Sequence, residues 1–151
     1  MNDRIFVAVG SSVGDGEVIL DSAAKWLEKN GVKIIKKSKN YKFPPFGGVA
    51  KNEFTNAVWE VVLNPSPGSN LNTDTRARTA NQQEKAEALL DLLLECEKAH
   101  GRERALKWGD RTLDLDLLVY NDLACDTGKL TLPHPEMGNR DFVQIPLQEI
   151  L

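Results

Sequence analysis

Two helix-length amphipathic segments alternate with four short strand-like runs, and this order leaves few folds open to the chain. The strand-like runs are rich in apolar and β-branched residues and lie at 5–9, 32–37, 54–63 and 113–120. Each helix carries one apolar stripe: Leu20, Ala23, Ala24 and Leu27 in the first, and Ala86, Leu89, Leu93 and Cys96 in the second, at 82–99. The β-α-β-β-α-β order predicts an α+β fold, a ferredoxin-like sandwich with an antiparallel sheet and both helices on one face.

The remaining segments lack this periodicity. Residues 65–81 are rich in Pro, Asn, Ser and Thr, and such a stretch buries too little surface to offset the entropy lost on ordering. We expect a flexible insert there, inside a single domain that spans 1–151. Residues 41–52 contain two prolines and two glycines and are expected to form a loop. We expect the part after Asn121 to be an irregular C-terminal extension with a short strand near 130–132.

Composition excludes several classes of protein. The 19 Lys and Arg residues against 22 Asp and Glu give a net charge of −3, which argues against a basic nucleic-acid binder. No apolar run is long enough to span a bilayer, and the first residues form no signal segment, so we expect no membrane partner and a cytoplasmic protein. Cys96 and Cys125 form neither a disulfide framework nor a metal motif and are expected to be buried reduced thiols.

Two carboxylates near the start of the strand predicted at 113–120 are the sharpest chemical feature. In a strand, Asp114 and Asp116 point to one face and the neighbouring leucines to the other, which belongs in the core. Two like charges at this spacing repel unless a cation neutralises them, and paired hard oxygen ligands suit Mg²⁺. The alternative is an edge strand whose acidic residues discourage aggregation.

Cationic residues flank this pair on both sides. Arg102, Arg104, Lys107 and Arg111 precede it, and a second group follows it: Lys129, His134 and Arg140. Arginine binds phosphate through two parallel charge-assisted hydrogen bonds, so cations beside a metal-binding pair fit polyphosphate chemistry. Taken alone, either group is more typical of a solvated face.

A third set of residues could bind a flat heterocycle, which needs aromatic faces and a fixed donor–acceptor group. The candidates are Pro44, Phe46, Phe54, Asn56, Trp108 and Phe142. The alternative for Trp108 and Phe142 is that they belong to the core.

Six sequence blocks together resemble the 6-hydroxymethyl-7,8-dihydropterin pyrophosphokinase family. The most specific are Arg-Thr-Leu-Asp-Leu-Asp-Leu-Leu at 111–118 and Leu-Pro-His-Pro-Glu-Met-Gly-Asn-Arg-Asp-Phe-Val at 132–143. Four shorter blocks lie at 9–15, 44–47, 54–57 and 146–150. The resemblance covers nearly the whole chain except about twenty residues from Pro65 onward.

The resemblance implies transfer of the β,γ-pyrophosphoryl group of ATP to the hydroxymethyl group of the pterin, with release of AMP, in folate biosynthesis. It implies two Mg²⁺ ions held by Asp114 and Asp116, and catalytic arginines at Arg102 and Arg111. It implies nucleotide contacts by Glu97, Arg104, Leu117, Lys129, Thr131, His134 and Arg140. It implies pterin contacts by Pro44, Phe46, Phe54, Asn56, Trp108 and Phe142. The expected enzyme is a monomer that binds ATP and the pterin.

Five positions depart from the family pattern: Ser12 replaces an Asn, Lys42-Phe43 replaces Arg-Thr, Pro135 replaces an aromatic residue, and Lys129 replaces a frequent Arg. None of these removes a metal ligand or either catalytic arginine. The alternatives to the enzyme are a metal-dependent phosphoesterase, which the same carboxylates and arginines would suit, and an inactive ferredoxin-like binding module.

Overall fold

A computed structural model of the chain describes residues 4–11, 16–43, 54–63, 75–100, 113–135 and 137–151, with Phe43, Phe54 and 75–81 described by their backbone. The strands are β1 (Ile5–Ser11), β2 (Val32–Lys37), β3 (Tyr41–Phe43), β4 (Phe54–Leu63), β5 (Asp114–Tyr120), β6 (Cys125–Asp126) and β7 (Thr131–Leu132). The helices are α1 (Gly16–Lys29), α2 (Thr75–Ala99) and α3 (Asp141–Ile150), and a 3₁₀ turn spans Met137–Asn139.

The main sheet has the order β2-β4-β1-β5, and every pairing in it is antiparallel. β3 pairs with the part of β4 that β2 leaves open, and β6 and β7 form a separate hairpin. This order and the two helices that connect the strands confirm the expected ferredoxin-like α+β fold. The two central strands, β1 and β4, carry the core on both faces of the sheet.

Alternation along β1 divides the core into two layers. Ile5, Val7 and Val9 pack against α1 and α2, whose predicted apolar stripes are buried as expected. Phe6 and Ala8 point to the opposite face, where α3 covers them. Gly31 follows α1 with a φ of 92°, as expected for a glycine that ends a helix.

The third helix corrects the expected irregular C-terminal extension. Residues 141–150 form α3, with Val143, Pro146, Leu147 and Ile150 buried against the sheet. Pro146 lies inside this helix, and a proline is unfavourable in a helix interior, so the sequence pattern alone does not indicate a helix here. The short strand expected near 130–132 is present as β7.

Two other boundaries differ from the expectations. Residues 41–43 form β3 instead of a loop, because the free edge of β4 pairs with them; three residues are too few to show a period. α2 begins at Thr75, within the segment 65–81 that was expected to be a flexible insert. The added helical residues are mostly polar and carry no apolar stripe, while 65–74 lie outside the described residues.

A charged cluster holds the C-terminal end of α3. The guanidinium of Arg4 lies 3.3 and 3.4 Å from the two carboxylate oxygens of buried Glu60, and it also donates to the carbonyl of Ile150 at 3.3 Å. The ammonium of Lys36 donates to the same carbonyl at 3.2 Å. Two cations at a helix C-terminus favour its partial negative charge.

We expect Glu60→Gln to lower the free energy of unfolding by about 1 kcal/mol, because it weakens the charge-assisted hydrogen bonds from Arg4. The effect is modest because the Arg4 side chain is 41% exposed to water, which screens its charge. Urea unfolding measures this change, with Glu28→Gln on the exposed face of α1 as the control for loss of charge. A stability equal to that of the control would show that the carboxylate does not support α3.

The two cysteines are both free, but they differ in burial. Cys96 is buried in the layer under α2, and burial together with the nearby Glu97 carboxylate raises its pKa to about 12. Cys125 is half-buried, which corrects the expectation that both thiols are buried.

At pH 8 we expect one thiol per folded chain to react with Ellman's reagent, because about one in ten thousand Cys96 side chains would be thiolate. Cys125→Ser should then abolish the reaction in the folded protein, and urea should restore it by exposing Cys96. Reaction of the folded Cys125→Ser variant at the wild-type rate would contradict this difference in burial.

Candidate active site

A row of residues crosses the sheet on the face that α3 covers. Gly10 of β1 pairs with Asn56 of β4 on one side and with Asp114 of β5 on the other. Two residues further along the strands, Ala8 pairs with Asp116. Ala8 belongs to the cluster beneath α3, so these residues share that face. The register therefore brings an amide from one strand and two carboxylates from another to either side of β1.

Gly10 leaves the space that the Asn56 side chain uses. A Cβ atom at Gly10 would lie 2.5 Å from Oδ1 of Asn56, which is closer than a non-bonded contact allows. Asn56 is itself 8% exposed, so its amide is held close over the β1 backbone. The strand predicted from the sequence ends at Val9, so the prediction missed this role of Gly10. The available signal was a glycine within an otherwise apolar strand, which often marks a close approach.

Asp114 and Asp116 are half-buried, while Leu113, Leu115 and Leu117 are buried on the opposite face. The predicted alternation of this strand is therefore confirmed. Since the side chain of Leu117 lies in the core, its predicted nucleotide contact would have to come from its backbone.

The carboxylate pair is suited to a metal that completes its shell elsewhere. Among the residues that the structure describes, no group of three or more His, Cys, Asp and Glu side chains could hold a metal ion. Mg²⁺ typically takes one or two carboxylates and fills its other positions with water and substrate phosphate oxygens. The small residues opposite the pair on β1, Ala8 and Gly10, also place no bulky side chain beside it.

Glu97 lies in the last turn of α2, on the other side of the sheet from the aspartates. It is 2% exposed, and its Oε2 accepts a hydrogen bond of 2.7 Å from the backbone N–H of Leu115. Glu97 follows Leu93 by four residues, so the helical spacing places its carboxylate at the edge of the buried stripe.

His134 enters the site region through its backbone. Its N–H donates to the carbonyl of Leu118 at 2.8 Å, where the pairing of β1 with β5 shifts register. A bulge of this kind leaves a carbonyl available to a partner outside the sheet. The bond places His134 two residues beyond the carboxylate pair along β5.

Arg140 and Phe142 lie at the start of α3. The guanidinium carbon of Arg140 is 5.6 Å from the centre of the Phe142 ring, and both side chains are half-buried. Phe142 also packs against the cluster between α3 and the sheet. The structure therefore brings this predicted pterin contact to the face that carries Asn56 and the aspartates.

Two predicted nucleotide contacts have partners within the chain. The Lys129 ammonium pairs with Asp91 of α2 at 2.9 Å, with both side chains about half exposed. The Thr131 hydroxyl donates to Asp126 at 3.1 Å, across the β6–β7 hairpin. These contacts tie the hairpin to α2 and to itself, so nucleotide binding by either side chain stays a prediction.

The strand β3 is anchored to α3 through Tyr41 and the nearby backbone of Lys39. The Tyr41 hydroxyl donates to Glu149, whose carboxylate also accepts from the backbone N–H of Lys39. These hydrogen bonds lower the pKa of Glu149, and the bond to the carboxylate raises the pKa of Tyr41. Tyr41 pairs directly with Asn56, so this anchor fixes β3 beside the site.

The other predicted site residues lie outside the described residues. They are Pro44, Phe46, Arg102, Arg104, Trp108 and Arg111, and for Phe54 the description is limited to the backbone of β4. Their assigned contacts stay predictions. Within the described part of the chain, no helix is both long and apolar enough to cross a membrane.

Comparisons with known proteins identify relatives of this chain. Residues 70–151 match the family described as 7,8-dihydro-6-hydroxymethylpterin-pyrophosphokinase (HPPK). The 2-amino-4-hydroxy-6-hydroxymethyldihydropteridine pyrophosphokinase of Bacillus subtilis is 33% identical over 151 residues, which cover 99% of this chain and 79% of that protein.

Two further relatives carry the same name. The protein from Methylorubrum extorquens is 30% identical over 148 residues, which cover 97% of this chain and 82% of that protein. The protein from Synechocystis sp. is 53% identical over 62 residues, which cover 41% of this chain and 32% of that protein. Since the family match spans more than half of the chain and the similarity to two relatives extends over nearly all of it, this chain belongs to the 7,8-dihydro-6-hydroxymethylpterin-pyrophosphokinase family.

Proposed function

We propose that Asp114 and Asp116 hold Mg²⁺ for the reaction of this chain, the transfer of pyrophosphate from ATP to 6-hydroxymethyl-7,8-dihydropterin. The chain is an ATP-dependent pyrophosphokinase of folate biosynthesis. The observation that carries the metal assignment is the pair of half-buried carboxylates on one face of β5, in register with Gly10 and Ala8 of β1.

The donor set fits two Mg²⁺ ions bound together with ATP. Asp114 and Asp116 supply hard oxygen ligands from one edge, and the phosphates of the nucleotide would supply the rest. When bound, the metal neutralises charge on the phosphate oxygens and orients the group that is transferred. The two aspartates therefore fix where the polyphosphate lies relative to the pterin.

Asn56 and Phe142 are the described residues best suited to the pterin. The amide of Asn56 has both a donor and an acceptor, which matches the polar edge of a pterin ring. Its burial over Gly10 restricts its orientation, so it can discriminate between ring edges. The Phe142 ring supplies an apolar face on the same side of the sheet. We assign Pro44, Phe46, Phe54 and Trp108 to the same pocket from the resemblance.

Cationic residues would hold the phosphates. We assign Arg102 and Arg111 to the transferred group, where two guanidinium groups would stabilise charge as it moves from ATP to the pterin. Further nucleotide contacts are assigned to Arg104, Leu117, Lys129, Thr131, His134 and Arg140, whereas the buried Glu97 carboxylate, a nucleotide contact by resemblance, accepts from the Leu115 amide. The assignment of Arg140 is supported by its position beside Phe142, because a nucleotide bound there would lie close to the pterin.

We also propose that the chain acts as a cytoplasmic monomer without nucleic-acid or membrane partners. Free cysteines and a net charge of −3 support this assignment. Light scattering of the purified protein tests the monomer.

One assay tests the proposed reaction: incubation with ATP, Mg²⁺ and the hydroxymethyl pterin, followed by analysis of the nucleotide products. We expect AMP to form in proportion to the pterin added and to be absent without it. Release of ADP or free phosphate would instead indicate a phosphoesterase, and no product at all would indicate an inactive binding module. Removal of divalent metal with EDTA should stop AMP formation, and added Mg²⁺ should restore it.

A further inference from the structure

We infer that Glu97 is a positioning residue, which holds the backbone between Asp114 and Asp116 and so sets the direction of both carboxylates. This inference rests on the proposed function of the two aspartates as metal ligands. In this role Glu97 contacts the backbone of β5, whereas the resemblance implies that it contacts the nucleotide.

The contact lies at the centre of the carboxylate pair. Glu97 accepts a hydrogen bond from the backbone N–H of Leu115, the residue between the two aspartates, at 2.7 Å. The donor–acceptor distance of 2.7 Å is at the short end of the range for N–H···O hydrogen bonds, so the contact depends closely on the reach of the side chain. Glu97 is also 2% exposed, which leaves little of its surface for a ligand.

The position of β5 explains why the amide needs this acceptor. Within the described sheet, β5 is the last strand and pairs along one side only, with β1. A buried amide without a partner is costly, and the sheet supplies none for Leu115 on the outer side of β5. Glu97, which extends from α2, provides this acceptor. It therefore fixes the segment of β5 whose opposite edge is paired with β1.

The backbone at Leu115 controls both aspartates together. Alternate side chains of a strand point to the same face, and their Cα atoms are about 6.6 Å apart. A change in the pleat at Leu115 would therefore turn both carboxylates and alter the distance between their oxygens. Metal ligands tolerate little displacement, and groups that orient them commonly affect metal affinity.

Glu97 can act as a fixed support because the end of α2 is itself held. The ring of His100 contacts the hydroxyl of Ser22 on α1 at 2.9 Å and the carbonyl of Cys96 at 2.7 Å. Cys96 and Leu93 are fully buried under the sheet. The helix end is thus packed on α1 and the sheet, and the carboxylate extends from it to β5.

Two substitutions at position 97 separate the effect of side-chain length from the effect of side-chain charge. Glu97→Gln removes the charge but keeps an oxygen at the same distance from Leu115, whereas Glu97→Asp keeps the charge but shortens the side chain by one methylene. Glu95→Gln is the matched control, since Glu95 lies on the exposed side of the same helix. The readouts are the Mg²⁺ concentration that gives half-maximal rate, the KM for the pterin, and hydrogen exchange of the Leu115 amide in the ligand-free protein.

We expect Glu97→Asp to raise the half-saturating Mg²⁺ concentration by about tenfold or more, while Glu97→Gln and Glu95→Gln stay within about threefold of the wild type. The pterin KM should change little in all three variants. The Leu115 amide should exchange faster in Glu97→Asp and remain protected in Glu97→Gln. Urea unfolding of each variant separates these effects from a general loss of stability.

The opposite order, with Glu97→Gln impaired and Glu97→Asp close to wild type, would overturn the inference and make the charge of Glu97 the essential property. Equal Mg²⁺ dependence in both variants would also overturn it. If the wild type forms no AMP, the proposed function fails. Amide exchange then still tests the Glu97 contact, because it is measured without substrate or metal.

Discussion

Replacing Asp116 by alanine is expected to lower kcat by about a hundredfold or more while leaving the fold intact. Only one carboxylate would remain to attach the metal, together with the ATP phosphates, to the protein. The transferred group would then lose its fixed orientation. Asp116 is half-buried on the sheet face and pairs with Ala8, so the shorter side chain creates no large cavity in the core. Steady-state rates of AMP formation at saturating ATP and pterin measure the effect.

Asp122→Ala is the matched control, because Asp122 is exposed shortly after β5 and the substitution removes the same charge. It should retain the wild-type rate. If Asp116→Ala keeps more than about a tenth of wild-type kcat, the loss corresponds to less than about 1.4 kcal/mol of barrier, and Asp116 is not an essential metal ligand. Circular dichroism of both variants establishes that they are folded.

Replacing Gly10 by alanine is expected to raise the KM for the pterin by about tenfold or more, with a smaller effect on ATP. The new Cβ would lie 2.5 Å from Oδ1 of Asn56, so the amide must turn away from its position over β1. Since that oxygen ends a rotatable side chain, the protein can relieve the clash by moving the amide. The stability should therefore fall less than pterin recognition does.

A double-mutant cycle isolates this mechanism. In an Asn56→Ala background, Gly10→Ala should have little further effect on the pterin KM, because the displaced amide is already absent. Gly138→Ala is the control for the added methyl group, since a Cβ at Gly138 meets no atom within 4 Å. Additive losses in the double variant would show that Gly10 acts on the pterin by a route other than Asn56.

The parts of the fold that follow from simple periodicity were predictable. The stripe from Leu20 to Leu27 is buried on α1 as expected, and the leucines of β5 are buried while its aspartates share the other face. These patterns arise because each residue's direction depends only on its place in a regular element. The composition of the chain excluded several classes of protein, but it identified no residue of the site.

Other features depend on contacts between distant segments and were not predictable in this way. Pro146 concealed the helical spacing of α3, which is stabilised by packing on the sheet. The requirement for glycine at position 10 arises from Asn56, which is on another strand. Likewise, the spacing along α2 places Glu97 at the edge of a stripe but does not identify Leu115 as its partner. Each of these contacts needs the strand order and register, which local sequence does not specify.

The most direct test of the metal assignment is to count bound metal. Mn²⁺ can replace Mg²⁺ at oxygen-rich sites, and electron paramagnetic resonance measures free Mn²⁺ in the presence of protein and a non-hydrolysable ATP analogue. We expect about two Mn²⁺ ions per wild-type chain in the ternary complex, and at least one fewer, or at least tenfold weaker binding, in Asp116→Ala. Unchanged number and affinity of bound Mn²⁺ in Asp116→Ala, with the nucleotide analogue still bound, would contradict the assignment of this carboxylate pair.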